Sequence, residues 1–371
     1  MNVLERMESI NADRRISDFI VKQKLPYEAK VAYAHTRAWE FFNECCKREL
    51  NCHVSVGGLD SITLLLFLRS IGIDVPAVSV SVLEDKSIQS VHESIGVIPL
   101  KPLKSKVDVI KEFGYPILSK EIANKISLLQ HPTSDNATVR HAIITGETGV
   151  YGGNRKNTRM KLSQKWLELF GGYENVNENV DYLFPDFLVS DKCCYYLKEK
   201  PCDIWAKSNN SVPYLGLMAS EGGRRQKSLM INGCNYFGSS TIRSAPFAIF
   251  TRQDLLQLAL DLNVPVPSIY GEIKRDSEGH LYTTGAQRTG CSMCGFGIQK
   301  EITRPHRFDL LYFNNPDEWD FWLNSVGFGH VFDWIGFKWR QPFVPGEKCW
   351  LSRSVMNEII FDRKYSQLKL F

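Results

Sequence analysis

An α/β fold built on a parallel sheet is predicted by two features of the chain. Short β-branched runs alternate with helical periodicities between residues 28 and 100, and a Gly-Gly turn links the first such run to an apolar helix. Strands that alternate with helices need crossover connections, which favours parallel pairing. Composition agrees. The 371 residues are 43% hydrophobic and 23% charged, with 26 Gly and 16 Pro, a profile that excludes collagen-like, disordered and disulfide-stapled classes. At about 150 residues per domain, the length suits one large domain or two ordinary ones, with core enough to need no metal for stability.

In chain order, EAKVAYAHTRAWEFFNECCKREL (28–50) sets Val31, Ala34, Ala38, Phe41, Phe42 and Cys45 near helical spacing and predicts an amphipathic helix. CHVSV (52–56) predicts the first strand, DSITLLLFLRSIG a buried helix stopped at Gly72, VPAVSVSVL (75–83) a second strand and GVIPL (96–100) a third. Residues 106–130 read as helical around GYP. RKNTRMKLSQKWLEL (155–169) predicts a basic amphipathic helix with Arg155, Lys156, Arg159, Lys161 and Lys165, and 171–181 a polar loop. PYLGLMA (213–219) is strand-like, and 251–263 reads as a helix that Thr251 caps with Asp254 in its first turn. From about 311 the chain is rich in aromatic residues, with Trp319, Trp322, Trp334, Trp339 and Trp350. Three regions are expected: an N-terminal helical segment (1–50), a nucleotide-binding domain (51–310) and a C-terminal extension packed on the core (311–371).

No run approaches the roughly 18–20 apolar residues of a membrane span, and the opening MNVLERMESINADRR lacks the apolar stretch of a signal peptide. A cytoplasmic protein with no membrane partner is expected. In a reducing compartment the 10 cysteines point to thiols or metal ligands rather than disulfides. A net charge of +4, from 45 Lys and Arg against 41 Asp and Glu, does not by itself indicate nucleic-acid binding.

Three constellations carry chemistry. Val56-Gly57-Gly58-Leu59-Asp60-Ser61 follows a strand and opens a helix. There, backbone N–H groups and the helix dipole suit phosphate or sulfate, though a plain β-to-α turn uses the same residues. It is neither the Walker nor the dinucleotide glycine pattern. Cys291-x-x-Cys294-Gly295 presents two thiolates on a turn, which suits zinc or an iron–sulfur cluster, and Cys193-Cys194 is a tandem pair. Glu221, Arg224, Arg225 and Lys227 follow a strand-like segment, where arginine forks suit phosphate or sulfate.

GGLDS after an apolar strand resembles the S-G-G-x-D-S loop of the PP-loop ATP-pyrophosphatase (adenine nucleotide alpha-hydrolase-like) superfamily. EFGYPILSKEIA, LSQKW, SDKCCYYLKEKP, GLMASEGGRRQKSLMINGCN, FTRQDLL, PSIYGEI and TTGAQRTGCSMCGFG are similar to the phosphoadenosine phosphosulfate reductase family, in forms common in phages and mobile elements. The likeness runs from about 51 to 340.

That resemblance implies a PP-loop domain with helices on both faces of its sheet. Gly57, Gly58, Leu59, Asp60, Ser61 and Glu84 would bind ATP or an adenylyl sulfate, and Mg²⁺ would neutralise the leaving group. Cys193, Cys194, Cys291 and Cys294 would ligate a [4Fe–4S] cluster, with zinc as the alternative. Asp60, Ser61, Glu221, Arg224 and Arg225 would act on the nucleotide. Cys349, in GEKCWL, is similar to the nucleophilic cysteine of the reductases' E-C-G-x-H tail, although Gly and His are not present here. Val56 stands where the family has serine, and Val80-Ser81-Val82 where it has Asp-Thr-Gly.

The activity implied is ATP-dependent activation of an acceptor for sulfur transfer, with nucleic acid as one candidate acceptor and a sulfur-donor protein as partner. A sulfonucleotide reductase served by a thioredoxin-like partner is one alternative, and a nucleotide-sensing subunit without turnover another. A homo-oligomer is compatible with each.

Overall fold

The computed structural model describes residues 3–173 and 182–368, with side chains from residue 13 onward except 223–225, 367 and 368. The chain forms two compact units, each assembled from two separated segments: unit 1 is Met1–Leu103 with Lys198–Ser292, and unit 2 is Lys104–Leu197 with Met293–Phe371. Each has its own apolar core.

Ten strands are described: β1 (Asn51–Ser55), β2 (Ala77–Ser79), β3 (Ile98–Pro99), β4 (Ile117–Leu118), β5 (Ser211–Tyr214), β6 (Asn235–Phe237), β7 (Ile242–Ser244), β8 (Ile273–Arg275), β9 (Leu281–Thr283) and β10 (Gly295–Phe296). Unit 1 is a mixed α/β structure around a six-stranded sheet in the order β3-β2-β1-β5-β7-β6. All neighbours pair in parallel except β6 with β7, which are antiparallel. The chain runs outward from β1 through β2 to β3, then returns to the other side of β1 through β5. The strand order therefore reverses between β1 and β5, where open α/β sheets leave a crevice at their carboxyl ends.

Helices cover both faces of this sheet, as alternation along β1 shows. Cys52 meets Cys45 of the helix α2 (Tyr27–Lys47), which follows α1 (Val3–Gln23). On the opposite face His53 lies edge-on to Trp205 of the helix Lys200–Ser208, with ring centroids 5.2 Å apart. Tyr214 of β5, level with Val54, turns to the α2 side and donates to the Ala38 carbonyl at 2.7 Å. The helix α3 (Leu59–Ser70) buries seven of its twelve residues, so its apolar run without amphipathic spacing is that of a core helix. The helix Arg252–Asp261 packs on it and opens with the expected capping box of Thr251 and Asp254. Asp254 also holds Lys30 at 2.7 Å in a buried pair.

Unit 2 is mainly helical, with the two-stranded parallel pair β4–β10 and a core of Phe, Trp and Leu side chains from both its segments. Arg304 and Asp309 form a buried ion pair there. His306 caps the helix Arg307–Asn314 through its Nδ1, while its Nε2 bonds the Lys338 carbonyl at 2.8 Å. Burial keeps that imidazole below its ordinary pKa, so it serves the fold as a neutral cap.

Four expected elements are shorter than their patterns suggest, among them the third strand, which is the two-residue β3. Helix appears only over Gln164–Phe170 of the 155–169 stretch. Asn154 and Asn157 take left-handed φ of 47° and 53°, the Arg155 N–H donates to the Thr148 hydroxyl and the Thr158 N–H to the Gly146 carbonyl. The backbone is tied to an earlier turn instead of to its own preceding residues. The second strand stops at Ser79 and gives way to a 3₁₀ turn, Ser81–Leu83. The strand expected over 213–219 is β5, and its end is set by a tight turn in which the Leu217 N–H reaches the Leu215 carbonyl. The polar loop at 171–181 lies largely outside the described residues.

Candidate functional site

The carboxyl ends of β1, β2, β5 and β7 in unit 1 are followed by Gly57-Gly58, Glu84, Glu221 and Arg252 respectively. Sheet topology thus brings residues from distant parts of the sequence to one edge. Gly57 and Gly58 form the turn into α3, with Gly58 extended at its N-cap. Ser61 closes the turn on itself: its Oγ accepts the Gly57 N–H at 2.7 Å and donates to the Gly58 carbonyl at 2.9 Å. The Leu59 N–H donates to the Tyr270 hydroxyl at 3.1 Å, and that oxygen also bonds Thr289 Oγ1 at 2.8 Å. A Cβ on Gly216, in the turn after β5, would lie 3.0 Å from the backbone of Asp60, so this turn packs against the start of α3 beside the reversal point.

His92, in the helix α4 (Lys86–Ser94), holds the turn from beneath. Its Nε2 lies 2.8 Å from the Gly57 carbonyl and its Nδ1 2.9 Å from Ser81 Oγ. Burial lowers its pKa despite the Gly57 carbonyl, and the neutral ring that donates from Nε2 and accepts at Nδ1 satisfies both partners. Ser81 lies in the stretch that reads Val-Ser-Val where the resembled family has Asp-Thr-Gly, so this hydroxyl supports the glycine turn indirectly.

Three ion pairs of opposite charge surround the turn. Arg252 Nη1 lies 2.5 Å from Asp60 Oδ1. Burial raises the Asp60 carboxyl above its ordinary range and the charge of Glu221 adds to this, while Arg252 and Arg288 pull it down. Glu221, only 7% exposed, has Arg288 Nη2 at 3.5 Å. Glu84, 6% exposed, is held by Lys198 Nζ at 2.5 Å. Burial alone would lower the Lys198 ammonium, but the Cys291 sulfur and Glu84 together outweigh it and raise the pKa. A Cβ on Gly57 would stand 3.7 Å from Glu84 Oε1, which places this pair beside the turn.

Cys291 is therefore a neighbour of Lys198 in unit 1. The other three proposed ligands lie in unit 2: Cys193 and Cys194 are successive residues of the short helix Lys192–Cys194, and Cys294 leads into β10. The exit of the C-x-x-C turn is fixed by cations. Met293 takes a left-handed φ of 50° and Lys106 Nζ donates to its carbonyl at 3.0 Å. Arg307 Nη1 donates to the carbonyls of Phe296 at 2.9 Å and Cys294 at 3.4 Å. Among the described residues no three His, Cys, Asp or Glu side chains are gathered as a metal-binding set.

Arg224 and Arg225 fall in the helix Gly223–Asn232, and their side chains lie outside the described residues. Cys349 is fully buried in unit 2, where burial pushes its thiol up to about 11. Such a thiol is protonated at neutral pH and is a poor nucleophile. Cys202 is likewise pushed up to about 11 by burial and Asp203. Cys234 is buried, with Tyr33 as a weak partner at 3.7 Å.

His92, Lys198, Arg252, Tyr270 and Thr289 are absent from the set that the sequence singles out. Arg252 follows the Thr251 cap signal, and Lys198 stands four residues after the tandem cysteines; each had a motif beside it that pointed its way. His92, Tyr270 and Thr289 carry no local signal, since their roles arise from contacts across the sheet edge.

Comparison with protein-family models, with curated proteins and with solved structures returned no match. The site's chemistry therefore rests on its own geometry: a glycine turn at a helix start, with the cations Lys198, Arg252 and Arg288 set against the carboxylates Asp60, Glu84 and Glu221. Cations and helix N–H groups suit a polyphosphate, and paired carboxylates suit the divalent cation that accompanies one.

Proposed function

We propose that unit 1 binds an adenine nucleotide at the Gly57–Gly58 turn and that the protein is a PP-loop enzyme of sulfur chemistry, similar to the phosphoadenosine phosphosulfate reductase family. The observation that carries this reading is the meeting of the glycine turn with Asp60–Arg252, Glu84–Lys198 and Glu221–Arg288 at the sheet edge where strand order reverses. Side-chain cations of the kind that meet phosphate and carboxylates of the kind that meet Mg²⁺ come together there.

With Mg·ATP as the ligand, the start of α3 faces the phosphates. Arg252 and Arg288 offset their charge, while Asp60 and Glu221 are the carboxylates suited to Mg²⁺. An acceptor oxygen attacks the α-phosphorus, forming the acceptor–O–P bond as the bond to pyrophosphate breaks. A sulfur donor at the sulfide oxidation level then displaces AMP, so no electrons are gained or lost. Positioning and charge neutralisation are what these residues contribute.

The four cysteines fit an iron–sulfur cluster by donor chemistry, being a C-x-x-C turn and a tandem pair of thiols. Cys193, Cys194, Cys291 and Cys294 would hold it, and when bound it would supply a redox-active sulfur centre. Lys106 and Arg307 pin the backbone after Met293 and Cys294 and so orient the second thiol of the turn. Zinc remains the alternative ion for the same thiols. Cys349, buried and protonated, takes no part in this reading, which weighs the transferase above the sulfonucleotide reductase.

Calorimetry with Mg·ATP and with adenylyl sulfate, followed by assays for pyrophosphate and sulfite, tests the proposal. ATP binding with pyrophosphate release in the presence of acceptor is expected. Sulfite from adenylyl sulfate would replace the transferase by the reductase, binding without any product would leave a sensing subunit, and no nucleotide binding would remove the site altogether. Iron and acid-labile sulfide on anaerobically purified protein, at about four each per chain and lost in Cys291→Ser, is the expected result for the cluster. One zinc would replace it.

A further inference from the structure

We propose that the loop between Gly146 and Lys161 in unit 2 is a docking surface for single-stranded nucleic acid. The first observation is charge. Between Glu147 and Lys165 stand Arg155, Lys156, Arg159, Lys161 and Lys165 against the single carboxylate Glu147, a local excess that equals the +4 of the whole chain. The rest of the protein sums to neutrality, so these nineteen residues account for the net charge.

The second observation is conformation. Instead of lying along a helix, the segment is a shaped loop with its ends tied together. Thr148 and Arg155 bond each other through backbone and hydroxyl, and Thr158 bonds the Gly146 carbonyl through its hydroxyl at 2.8 Å. Lys125 Nζ donates to the Arg159 carbonyl at 2.7 Å. Gly153, Asn154 and Asn157 supply the left-handed positions that such turns need. Arg155, Lys156, Arg159 and Lys161 are all exposed. Among the described residues, the carboxylate that Lys156 meets is Glu147, at 3.9 Å, and His141 shares it at the same distance. Lys165 differs, since its ammonium sits over Trp350 at 4.1 Å and Trp166 at 4.5 Å.

The third observation is the tip. Val150 and Tyr151 occupy a 3₁₀ turn, and the Tyr151 ring stands fully in solvent. A solvent-exposed aromatic ring in the same loop as four exposed cations is the combination that grips unpaired strands, where bases stack on rings while cations follow the phosphates. The loop has no helix to enter a duplex groove. Two apolar side chains are also too little surface for a membrane-binding face, which uses an extended amphipathic helix. The surface stands independently of the nucleotide reading of unit 1.

Fluorescence anisotropy of a labelled 20-nucleotide single strand, as DNA and as RNA, with the full chain between 50 and 200 mM salt tests this. Binding that weakens with salt is expected. Arg155→Glu with Lys156→Glu should weaken it at least tenfold and flatten the slope of log affinity against log salt by roughly 1.4, or about 0.7 for each phosphate that is no longer neutralised. Tyr151→Ala should weaken it about tenfold with the slope unchanged. A single strand that does not bind at 50 mM salt, or binds equally well after the charge reversal, overturns the proposal. So does binding to phosphatidylserine vesicles that Tyr151→Ala abolishes while the oligonucleotide is ignored. Mg·ATP titration of the same variants separates the two readings: these exposed substitutions leave unit 1 untouched, so each binding event is kept or lost on its own.

Discussion

The Tyr270 hydroxyl stands where a Cβ at position 58 would project, far inside van der Waals contact, and Thr289 Oγ1 would lie 3.2 Å from the same atom. Gly58 and Tyr270 are thus matched parts of one turn, and the hydroxyl that excludes a side chain also accepts the Leu59 N–H at 3.1 Å. Gly58→Ala should cost about 1–3 kcal/mol through overpacking and abolish nucleotide binding. Adding Tyr270→Phe should recover part of the stability in urea titration. A single Gly58→Ala variant as stable as wild type would show that the turn relaxes freely.

His92 should matter more to the turn than to chemistry. His92→Phe leaves the Gly57 carbonyl and the Ser81 hydroxyl without their partner, at a cost of about 1–3 kcal/mol, and should weaken Mg·ATP binding by displacing the turn. Calorimetric affinity equal to wild type in the folded variant would remove His92 from the site.

A pH dependence follows from His53, whose burial lowers its pKa to about 4. In the unfolded chain the imidazole titrates near about 6.5. Stability is therefore complete above that pH and falls as pH drops through about 6.5 towards 4, because only the unfolded chain takes up the proton. The loss is roughly 3 kcal/mol over that window. His53→Gln should show a shallower decline in urea midpoint between pH 7 and 5, with His92 and His306, also lowered by burial, supplying the remainder. An identical decline in both proteins would refute the assignment.

Lys30 and Asp254 tie α2 to the helix that carries Arg252. Lys30→Ala strands a buried carboxylate that also caps that helix, and should lower stability by about 3–5 kcal/mol. Thr251→Ala, which removes only a cap, should cost about 1 kcal/mol. Reversal of that order in chemical denaturation would count against the pair.

Where periodicity and punctuation act locally, the sequence was sufficient. The helix α2, the strand–Gly-Gly–helix of β1 and α3, and the Thr251 capping box all depend on residues within a few positions of one another. The predicted helix at 155–169 failed where its pattern was overruled by distant partners: the Arg155 and Thr158 N–H groups found acceptors at Thr148 and Gly146.

The alternation of strand and helix, the glycine turn and the cysteine spacings were set by local sequence, because each is decided by near neighbours along the backbone. The reversal of strand order between β1 and β5, the pairing of Asp60 with Arg252 and of Glu84 with Lys198, the support of the turn by His92 and Tyr270, and the assembly of each unit from two separated chain segments were decided only by tertiary structure. The parallel pairing of β1 with β5 sets Asn51 beside Ser211, and no local pattern records which charge will face which once the sheet is built.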